Sequence, residues 1–213
     1  MKTKKIAVFG DSILDSFTFY LSNRMSPEAP VPVIEHSNKN YFPGGAALTS
    51  AKLAFYKNHV DLYTQVGKDR YGEILNDTLG KVKVINFGST NYSTILKNRI
   101  IVNNKYHLRE DLEFFSEPNV NAKIIKAFKE NIKQYSAVVF VDYNKGFLNT
   151  ALFNKLKNLC MENDLKTFID PHIKNIFDFK GIDYIKPNLS ESKIITGKNN
   201  VRSALRELES KYD

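Results

Sequence analysis

Two glycines stand directly before a run of helix-forming residues in Pro43-Gly44-Gly45-Ala46-Ala47-Leu48-Thr49-Ser50-Ala51-Lys52-Leu53-Ala54. Alanine and leucine favour the helix, and the apolar residues recur at helical spacing. The proline is expected to end whatever element precedes the pair. A glycine pair lets the backbone approach a ligand because no Cβ is in the way, and the first-turn amides of a helix favour oxygen-rich or anionic groups. Taken alone, the segment is equally compatible with a tight turn into a core helix.

Strand and helix patterns alternate along the rest of the chain. Strand patterns occupy residues 5–9, 60–66, 82–87, 137–141, 166–169 and 183–185. Helix patterns occupy residues 71–79, 120–132, 149–161 and 199–211, and another begins at Ser190. Such alternation predicts an α/β fold with a doubly wound, mostly parallel sheet that binds its ligands at the carboxyl ends of the strands.

Two insertions depart from this alternation, at about residues 16–42 and 92–112. Both are rich in aromatic and β-branched residues, and prolines punctuate the first, which predicts short edge strands rather than a helix. The second is typical of a hairpin with Asn103-Asn104 at its turn. We expect the insertions to form a small separate sheet over the site, as a lid or a dimer surface; an ordinary edge hairpin is the alternative.

Polar residues follow several of the predicted strands. Asp11 and Asp15 come after the first strand, and Asp142, Asp170 and Asn188 end three later ones. Carboxylates in such places either cap a loop or accept hydrogen bonds from sugar hydroxyls. Because the carboxyl ends of parallel strands lie at one edge of a sheet, we expect these residues to face the glycine-led helix there.

Composition and charge exclude several classes of protein. The 213 residues are 42% hydrophobic, which is enough for a real core, and no run of about 18 apolar residues predicts a membrane span. The formal net charge of +8 is spread along the chain, so we expect a solvated lysine-rich surface and no nucleic-acid partner. Cys160 is the single cysteine, which excludes an internal disulfide and fits a reducing cytoplasm. Its helical pattern predicts a small core residue.

Six motifs together resemble those of a known family. They are Gly10-Asp11-Ser12-Ile13-Leu14-Asp15, Arg24-Met25-Ser26-Pro27-Glu28-Ala29-Pro30-Val31-Pro32-Val33, Pro43-Gly44-Gly45-Ala46-Ala47, Asp142-Tyr143-Asn144-Lys145-Gly146, Ile169-Asp170-Pro171 and Pro187-Asn188-Leu189-Ser190-Glu191. On these motifs, essentially the whole chain resembles the ribokinase or PfkB family of carbohydrate kinases. The likeness is strongest to the kinase domain of the heptose 7-phosphate kinase/heptose 1-phosphate adenylyltransferase proteins, and the proline-rich second motif is the most specific.

The resemblance implies a ribokinase-like sugar kinase domain over residues 1–213, with an inserted β-strand lid through which the protein forms a homodimer. It implies transfer of the γ-phosphoryl group of ATP, with Mg²⁺, to the C1 hydroxyl of a heptose 7-phosphate or a similar sugar phosphate. This reaction belongs to lipopolysaccharide-core and nucleotide-heptose biosynthesis.

The resemblance also assigns substrate-binding residues. They are Asp15, Gly44, Gly45, Lys97, Arg99, Arg109 and Asp142. Asp15 and the glycine pair would bind sugar hydroxyls. The three cationic side chains would lie in the lid, where they could meet the phosphate already on the substrate.

The nucleotide side would lie at the family's Asn-x-x-Glu motif, which organises magnesium and nucleotide phosphate. The matching residues are Asn188, Leu189, Ser190 and Glu191. Mg²⁺ prefers hard oxygen ligands and usually retains several waters, so Glu191 would act on the metal indirectly. A helix capping box is the alternative for Asn188 and Glu191.

The chain departs from the family pattern in three places. Leu48 stands where the family has a sugar-binding Asn, and His172 stands where a Lys is expected after Asp170-Pro171. The Asp-Thr-x-Gly-Ala-Gly-Asp stretch, which supplies the anion hole and the proton-accepting aspartate, does not occur, so no catalytic base is assigned. We therefore expect the C-terminal part of the fold to be absent and the Val201/Leu205/Leu208 face of the last helix to lack its partner.

Two hypotheses follow from these departures. The first is an incomplete form of an ATP-dependent sugar kinase, and the second is a non-catalytic sugar-phosphate-binding or dimerising remnant of one. Nucleotidyl-transfer or dehydrogenase chemistry has little support, because the sequence has no Gly-x-Gly-x-x-Gly, no Walker A pattern and no His/Cys metal spacing.

Overall fold

The computed structural model describes residues 4–56, 59–113, 120–175 and 177–212. Its strands are β1 (Lys5–Gly10), β2 (Ser12–Met25), β3 (Pro32–Gly45), β4 (Val60–Thr64), β5 (Lys83–Asn86), β6 (Ile95–Val102), β7 (Lys105–Leu112), β8 (Tyr135–Val141), β9 (Lys166–Asp170) and β10 (Tyr184–Ile185). Its helices are α1 (Ala46–Phe55), α2 (Arg70–Thr78), α3 (Asn121–Asn131), α4 (Thr150–Glu162), α5 (Leu189–Thr196) and α6 (Val201–Tyr212), with a 3-10 turn at Ile132–Gln134.

The larger sheet has six strands in the order β10-β9-β8-β1-β4-β5, and every adjacent pair is parallel. The chain winds outward from β1 through β4 to β5, then returns to the other side of β1 at β8 and continues to β10. This topology confirms the predicted doubly wound α/β fold.

Each face of this sheet carries its own core, because successive residues of a strand point to opposite sides. Phe9 belongs to an aromatic cluster that includes residues of α3 and α4, whereas Val8 packs in an aliphatic cluster with residues of α1 and α2. Cys160 on α4 is fully buried in the first cluster, as predicted, and burial raises its thiol pKa to about 12.

The two insertions form a second sheet of four strands in the order β3-β2-β6-β7, as expected. β2 pairs with β3 in the antiparallel sense and with β6 in the parallel sense. β6 and β7 form the predicted hairpin. Its turn residues Asn103 and Asn104 have φ values of 48° and 61°, the left-handed pair that a tight hairpin turn requires.

Two predictions about the first insertion are wrong. The expected short edge strands are one long hairpin of two 14-residue strands, so Asp15 lies within β2 rather than in a loop. Pro43 does not end the preceding element, because β3 continues through it to Gly45. β3 is an edge strand with one unpaired side, and a proline without an N–H is tolerated there.

The β2–β3 hairpin extends beyond the end of β6. The pairing of β2 with β6 stops at Tyr20, and the carboxamide of Asn103 then continues it by donating to Ser22 O (2.8 Å) and accepting from Ser22 N (3.0 Å). We call residues 21–34 the arm. Its half-exposed apolar side chains are Leu21, Met25, Val31 and Ile34.

The last helix is better covered than its sequence suggested. Val201 and Leu205 are each 54% exposed, but Leu208 and Ala204 are buried. The expectation of an unpartnered face is therefore wrong for Leu208, because α6 packs against α5 and its Tyr212 packs against the aromatic cluster. Within the described ranges, none of the helices has the length and apolar character needed to cross a membrane.

Candidate functional site

Polar residues from four strands meet at the carboxyl edge of the six-stranded sheet. Backbone hydrogen bonds join them: Asp11 N donates to Val141 O (3.3 Å), and Asp142 N donates to Asp170 O (3.0 Å). At the outer end of the row, Lys186 N donates to Ile169 O (2.9 Å). Asp11, Asp142 and Asp170 therefore lie at neighbouring strand ends, as expected, whereas Asp15 lies on β2 of the small sheet.

Asp11 organises the loop that follows β8. Its carboxylate accepts hydrogen bonds from the backbone N–H groups of Tyr143 (2.9 Å), Lys145 (3.1 Å) and Phe147 (3.0 Å). The side chain is buried, and burial raises the pKa of Asp11 although the three donors oppose this effect. Of the two interpretations of this carboxylate, the geometry supports the loop cap.

Asp15 faces a different environment on the small sheet. Its Oδ1 accepts from Arg99 Nη1 at 2.7 Å, and both side chains remain about one quarter exposed. The Arg99 guanidinium lies over the ring of Phe17, 5.0 Å from its centroid. Charge-assisted pairs of this kind hold a carboxylate in one orientation while leaving capacity for another donor.

The glycine pair makes room for Asp15 and for the start of α1. A Cβ on Gly44 would lie 2.5 Å from Asp15 Oδ2, so the carboxylate occupies the space of the missing side chain. Gly45 has φ 58° and would clash through a Cβ with the carbonyl oxygen of Asp11. Ala46 N donates to that oxygen (2.9 Å), and no side chain in the described residues caps the first turn of α1.

Two lysines lie near enough to one another for their charges to interact. Lys97 on β6 lies 6.0 Å from the ring centroid of Tyr143, and Lys145 Nζ forms an ion pair with Glu113 Oε2 (2.5 Å). Burial lowers the pKa of Lys97, and the positive charge of Lys145 lowers it further, whereas Asp111 and Glu113 oppose the shift. Like charges held together and partly desolvated form an environment that favours an anion.

Arg109 lies directly opposite Arg99 in the β6–β7 pairing, so the two side chains project from the same face of the small sheet. Its Nε and Nη2 both bind the carboxylate of Asp111, at 2.7 and 2.8 Å. The structure therefore brings Asp15, Gly44, Lys97, Arg99 and Arg109 onto one region of the small sheet, where the Arg109 guanidinium is paired with Asp111. Sequence reasoning missed the roles of Lys145 and Glu113, although the Asp142-Tyr143-Asn144-Lys145-Gly146 motif contains the lysine.

The carboxylate of Asp142 forms hydrogen bonds with nearby asparagines. Its carboxylate accepts from Asn144 N (2.7 Å) and from Asn175 Nδ2 (3.1 and 3.0 Å). Burial raises its pKa to about 6, and the two donors oppose that shift.

The Asn-x-x-Glu segment forms a capping box at the start of α5. Asn188 Oδ1 accepts from Glu191 N (3.0 Å), and Glu191 Oε2 accepts from Asn188 N (2.6 Å). Beside it, Lys186 Nζ binds Asp170 Oδ1 at 2.8 Å, which raises the pKa of Lys186. The capping alternative is thus realised in the structure, and a cation stands at the same strand end.

The donor set near α5 fits magnesium held through water rather than by a protein cage. Leu189 and Ser190 are exposed beside Glu191, and one carboxylate oxygen of Glu191 remains outside the capping bond. Across the described ranges there is no cluster of three or more His, Cys, Asp or Glu side chains placed to hold a metal. Mg²⁺ commonly binds through one carboxylate, waters and substrate phosphates.

Comparison with known proteins agrees with the motifs. The family described as pfkB family carbohydrate kinase matches residues 3–212. The bifunctional protein HldE of Aliarcobacter butzleri is 31% identical over 222 residues, which cover 100% of this chain and 47% of that protein. HldE of Haemophilus influenzae strain Rd is 33% identical over 209 residues, covering 97% of this chain and 43% of the relative. The chain thus spans less than half the length of these curated relatives.

Solved structures share the fold. Escherichia coli phosphofructokinase-2, in complex with substrates and products, superposes with a TM-score of 0.73 at 14% identity, covering 99% of this chain and 70% of that one. Arabidopsis thaliana ribokinase, complexed with ribose and ATP, superposes with a TM-score of 0.67 at 12% identity, covering 98% of this chain and 68% of that one.

Proposed function

Because the chain belongs to the pfkB family of carbohydrate kinases, we propose that it binds a sugar phosphate and MgATP for transfer of the γ-phosphoryl group to a sugar hydroxyl. The HldE relatives support a heptose 7-phosphate as the substrate, with its C1 hydroxyl as the acceptor, in nucleotide-heptose biosynthesis.

The arrangement around Asp15 carries this proposal. Its carboxylate lies beside Gly44 and is oriented by Arg99, so it can accept a hydrogen bond from a sugar hydroxyl. Lys97 and Lys145 are the cations that would bind the substrate phosphate. In the structure Lys145 forms an ion pair with Glu113. Asp142, which is bonded to Asn144 and Asn175, would act by holding its loop against the substrate.

The nucleotide would approach the carboxyl end of β10. Lys186 lies there beside Asp170, and the capped start of α5 follows it. Asn188, Leu189 and Ser190 would present backbone and side-chain groups to phosphate, and Glu191 would hold magnesium through water. When bound, magnesium neutralises charge on the transferred phosphoryl group, and positioning provides the rest of the catalysis.

We also propose that the small sheet forms a homodimer. The arm exposes four apolar side chains on a hairpin that extends beyond its neighbouring strand, and within the described residues β3 and β7 are the edge strands of the small sheet. Such edges are natural sites of association. A cytoplasmic location and the absence of a nucleic-acid partner stay predictions.

A direct assay tests the kinase proposal. The chain is incubated with MgATP labelled in the γ-phosphate and a panel of sugar 7- and 6-phosphates, and calorimetry measures binding of the same sugars. We expect saturable sugar-phosphate binding that weakens about 10-fold or more in Asp15→Ala, because a charge-assisted acceptor is lost. Equal binding by the variant would contradict the role of Asp15.

The same assay addresses the second candidate, a non-catalytic sugar-phosphate-binding protein. No residue of these 213 is assigned as the base that takes the proton from the attacking hydroxyl, which favours binding without turnover. Binding of the sugar phosphate without phosphoryl transfer above the buffer blank would support this candidate. Phosphoryl transfer above the blank would support the kinase.

A further inference from the structure

Glu113 binds one of the two lysines that are proposed to bind the substrate phosphate. Its Oε2 accepts from Lys145 Nζ at 2.5 Å, and the side chains of Glu113 and Lys145 are only 18% and 17% exposed. Lys97 lies close enough to both of them for their charges to affect its pKa. The protein itself therefore supplies an anion to these cations in the structure.

The same cations lie beside the residue that is proposed to receive a sugar hydroxyl. Lys97 is in register with Asp15 in the parallel pairing of β2 with β6, so the two side chains project from the same face of the small sheet. The ammonium group of Lys97 lies 6.0 Å from the ring centroid of Tyr143, which precedes Lys145 by two residues. An anionic group held by both lysines would therefore belong to the same ligand as the sugar hydroxyls.

The charges around the two lysines are not balanced. Asp111 stands opposite Lys97 in the β6–β7 pairing, but both of its oxygens accept from Arg109. Glu113 balances Lys145, and across the described ranges Lys97 has no ion-pair partner. A ligand with one negative charge could match only the lysine that Glu113 leaves unpaired. A ligand with two could match both lysines by displacing Glu113.

The position of Glu113 in the chain allows this displacement. β7 ends at Leu112, whose partner on β6 is Leu96, so Glu113 follows the last paired residue of the strand. No strand pairing of the described residues holds its backbone, and a change of rotamer would carry its carboxylate away from Lys145. A ligand can therefore take the place of the carboxylate while the small sheet stays intact.

We infer that Glu113 occupies the place of the substrate phosphate in the free protein and thereby selects ligands that carry two negative charges. A phosphate monoester carries about −1.5 to −2 charges at pH 7, so it can displace Glu113 and match both lysines. A competing contact that disfavours the wrong ligand is a common source of specificity. This inference rests on the proposed function, to which it adds discrimination between sugar phosphates and sugar acids.

The test compares sugars that differ only at the last carbon: a heptose 7-phosphate, the heptose itself and the hepturonate, which carries a carboxylate there. Calorimetry gives the dissociation constant of each sugar for the unaltered chain and for Glu113→Gln, which removes the charge with little change of shape. Glu162→Gln, at the exposed last residue of α4, is the matched control for the loss of one negative charge. Circular dichroism verifies that the variants fold.

We expect Glu113→Gln to bind the heptose 7-phosphate about 10-fold more tightly than the unaltered chain does, because the phosphate no longer has to break a partly exposed ion pair. The hepturonate should also bind this variant more tightly, since Lys145 becomes accessible to it, and the heptose should bind equally to both. Glu162→Gln should behave as the unaltered chain. For the unaltered chain, the phosphate should bind at least about 10-fold more tightly than the hepturonate.

A double-mutant cycle separates displacement from general repulsion between Glu113 and the phosphate. In a Lys145→Met background there is no ion pair to break, so adding Glu113→Gln should bring no gain in affinity. A gain that persists in this background would overturn the inference, as would equal or weaker phosphate binding by Glu113→Gln alone. Equal binding of the phosphate and the hepturonate by the unaltered chain would also overturn it. Binding of the heptose 7-phosphate no tighter than that of the heptose in every variant would instead contradict the proposed phosphate site, and the inference with it.

Discussion

The carboxylate of Asp15 occupies the space that a side chain at Gly44 would need, since a Cβ there would lie 2.5 Å from Asp15 Oδ2. The two residues lie on paired strands, β2 and β3, where Asp15 is opposite Phe42, two positions before Gly44. Arg99 holds the other oxygen of the carboxylate at 2.7 Å. The absence of a side chain at Gly44 therefore makes room for the carboxylate of Asp15. It also lets a ligand approach the Gly44 backbone.

Gly44→Ala should reduce sugar-phosphate affinity about 10-fold or more with little loss of stability. The new methyl group meets the end of a side chain that can rotate away, so the carboxylate moves and the fold persists. Calorimetry and urea unfolding measure the two effects. Gly45→Ala is the contrasting variant, since its φ of 58° and the Asp11 carbonyl leave no space for a Cβ. It should lower the free energy of unfolding by about 2 kcal/mol or more. Reversed outcomes would show that Gly44 is the conformational glycine.

Lys97→Met should weaken binding of a phosphorylated sugar about 10- to 100-fold and leave binding of the unphosphorylated sugar unchanged, because only the former loses a charged contact. The free energy of unfolding should hold or rise, because burial and Lys145 already disfavour the charge of Lys97. Calorimetry with both sugars measures the difference. Lys123→Met, on the exposed side of α3, is the control. An equal loss for both sugars would mean that Lys97 shapes the pocket and does not bind phosphate.

Asp142→Asn should remove part of the dependence of stability on pH. Burial raises the pKa of Asp142 in the fold to about 6 from 3.8, so the folded state binds the proton more tightly than the unfolded chain does. The protonated carboxyl therefore contributes about 3 kcal/mol to the free energy of unfolding. This contribution is complete below about pH 4 and is lost as the pH rises through about 6. Urea unfolding at a series of pH values measures it. Asp77→Asn, at an exposed site on α2, should retain the unaltered profile. Parallel profiles for Asp142→Asn and the unaltered chain would refute this assignment.

Glu191→Gln separates helix capping from magnesium binding. A glutamine at this position still accepts from Asn188 N, so the free energy of unfolding should change by less than about 0.5 kcal/mol. Asn188→Ala removes the cap itself and should cost about 1 kcal/mol. Only the first variant isolates the carboxylate charge, and it should weaken ATP binding in the presence of Mg²⁺ but not in its absence. Calorimetry with and without the metal measures this. Unaltered MgATP binding by Glu191→Gln would leave Glu191 with the capping role alone.

Much of the fold follows from local patterns. The strand and helix boundaries agree with the predicted ones within a few residues, because periodicity of apolar residues reports which side of an element is buried. The prolines of the first insertion predict short strands, but the structure has the long β2–β3 hairpin because an edge strand tolerates a proline on its unpaired side. The candidate residues on the small sheet came from motif resemblance, and periodicity alone would not have selected Lys97 or Arg99.

The sequence by itself determined the element order, the doubly wound class and the segments that supply the site, because each depends on residues close together in the chain. Only the tertiary structure decided the partners of the charged groups. Asp15 pairs with a residue 84 positions away, and Asp11 binds a loop 132 to 136 positions away. A carboxylate at a strand end can serve a loop or a ligand equally well until distant segments approach it. The donors that arrive there decide which of the two it does.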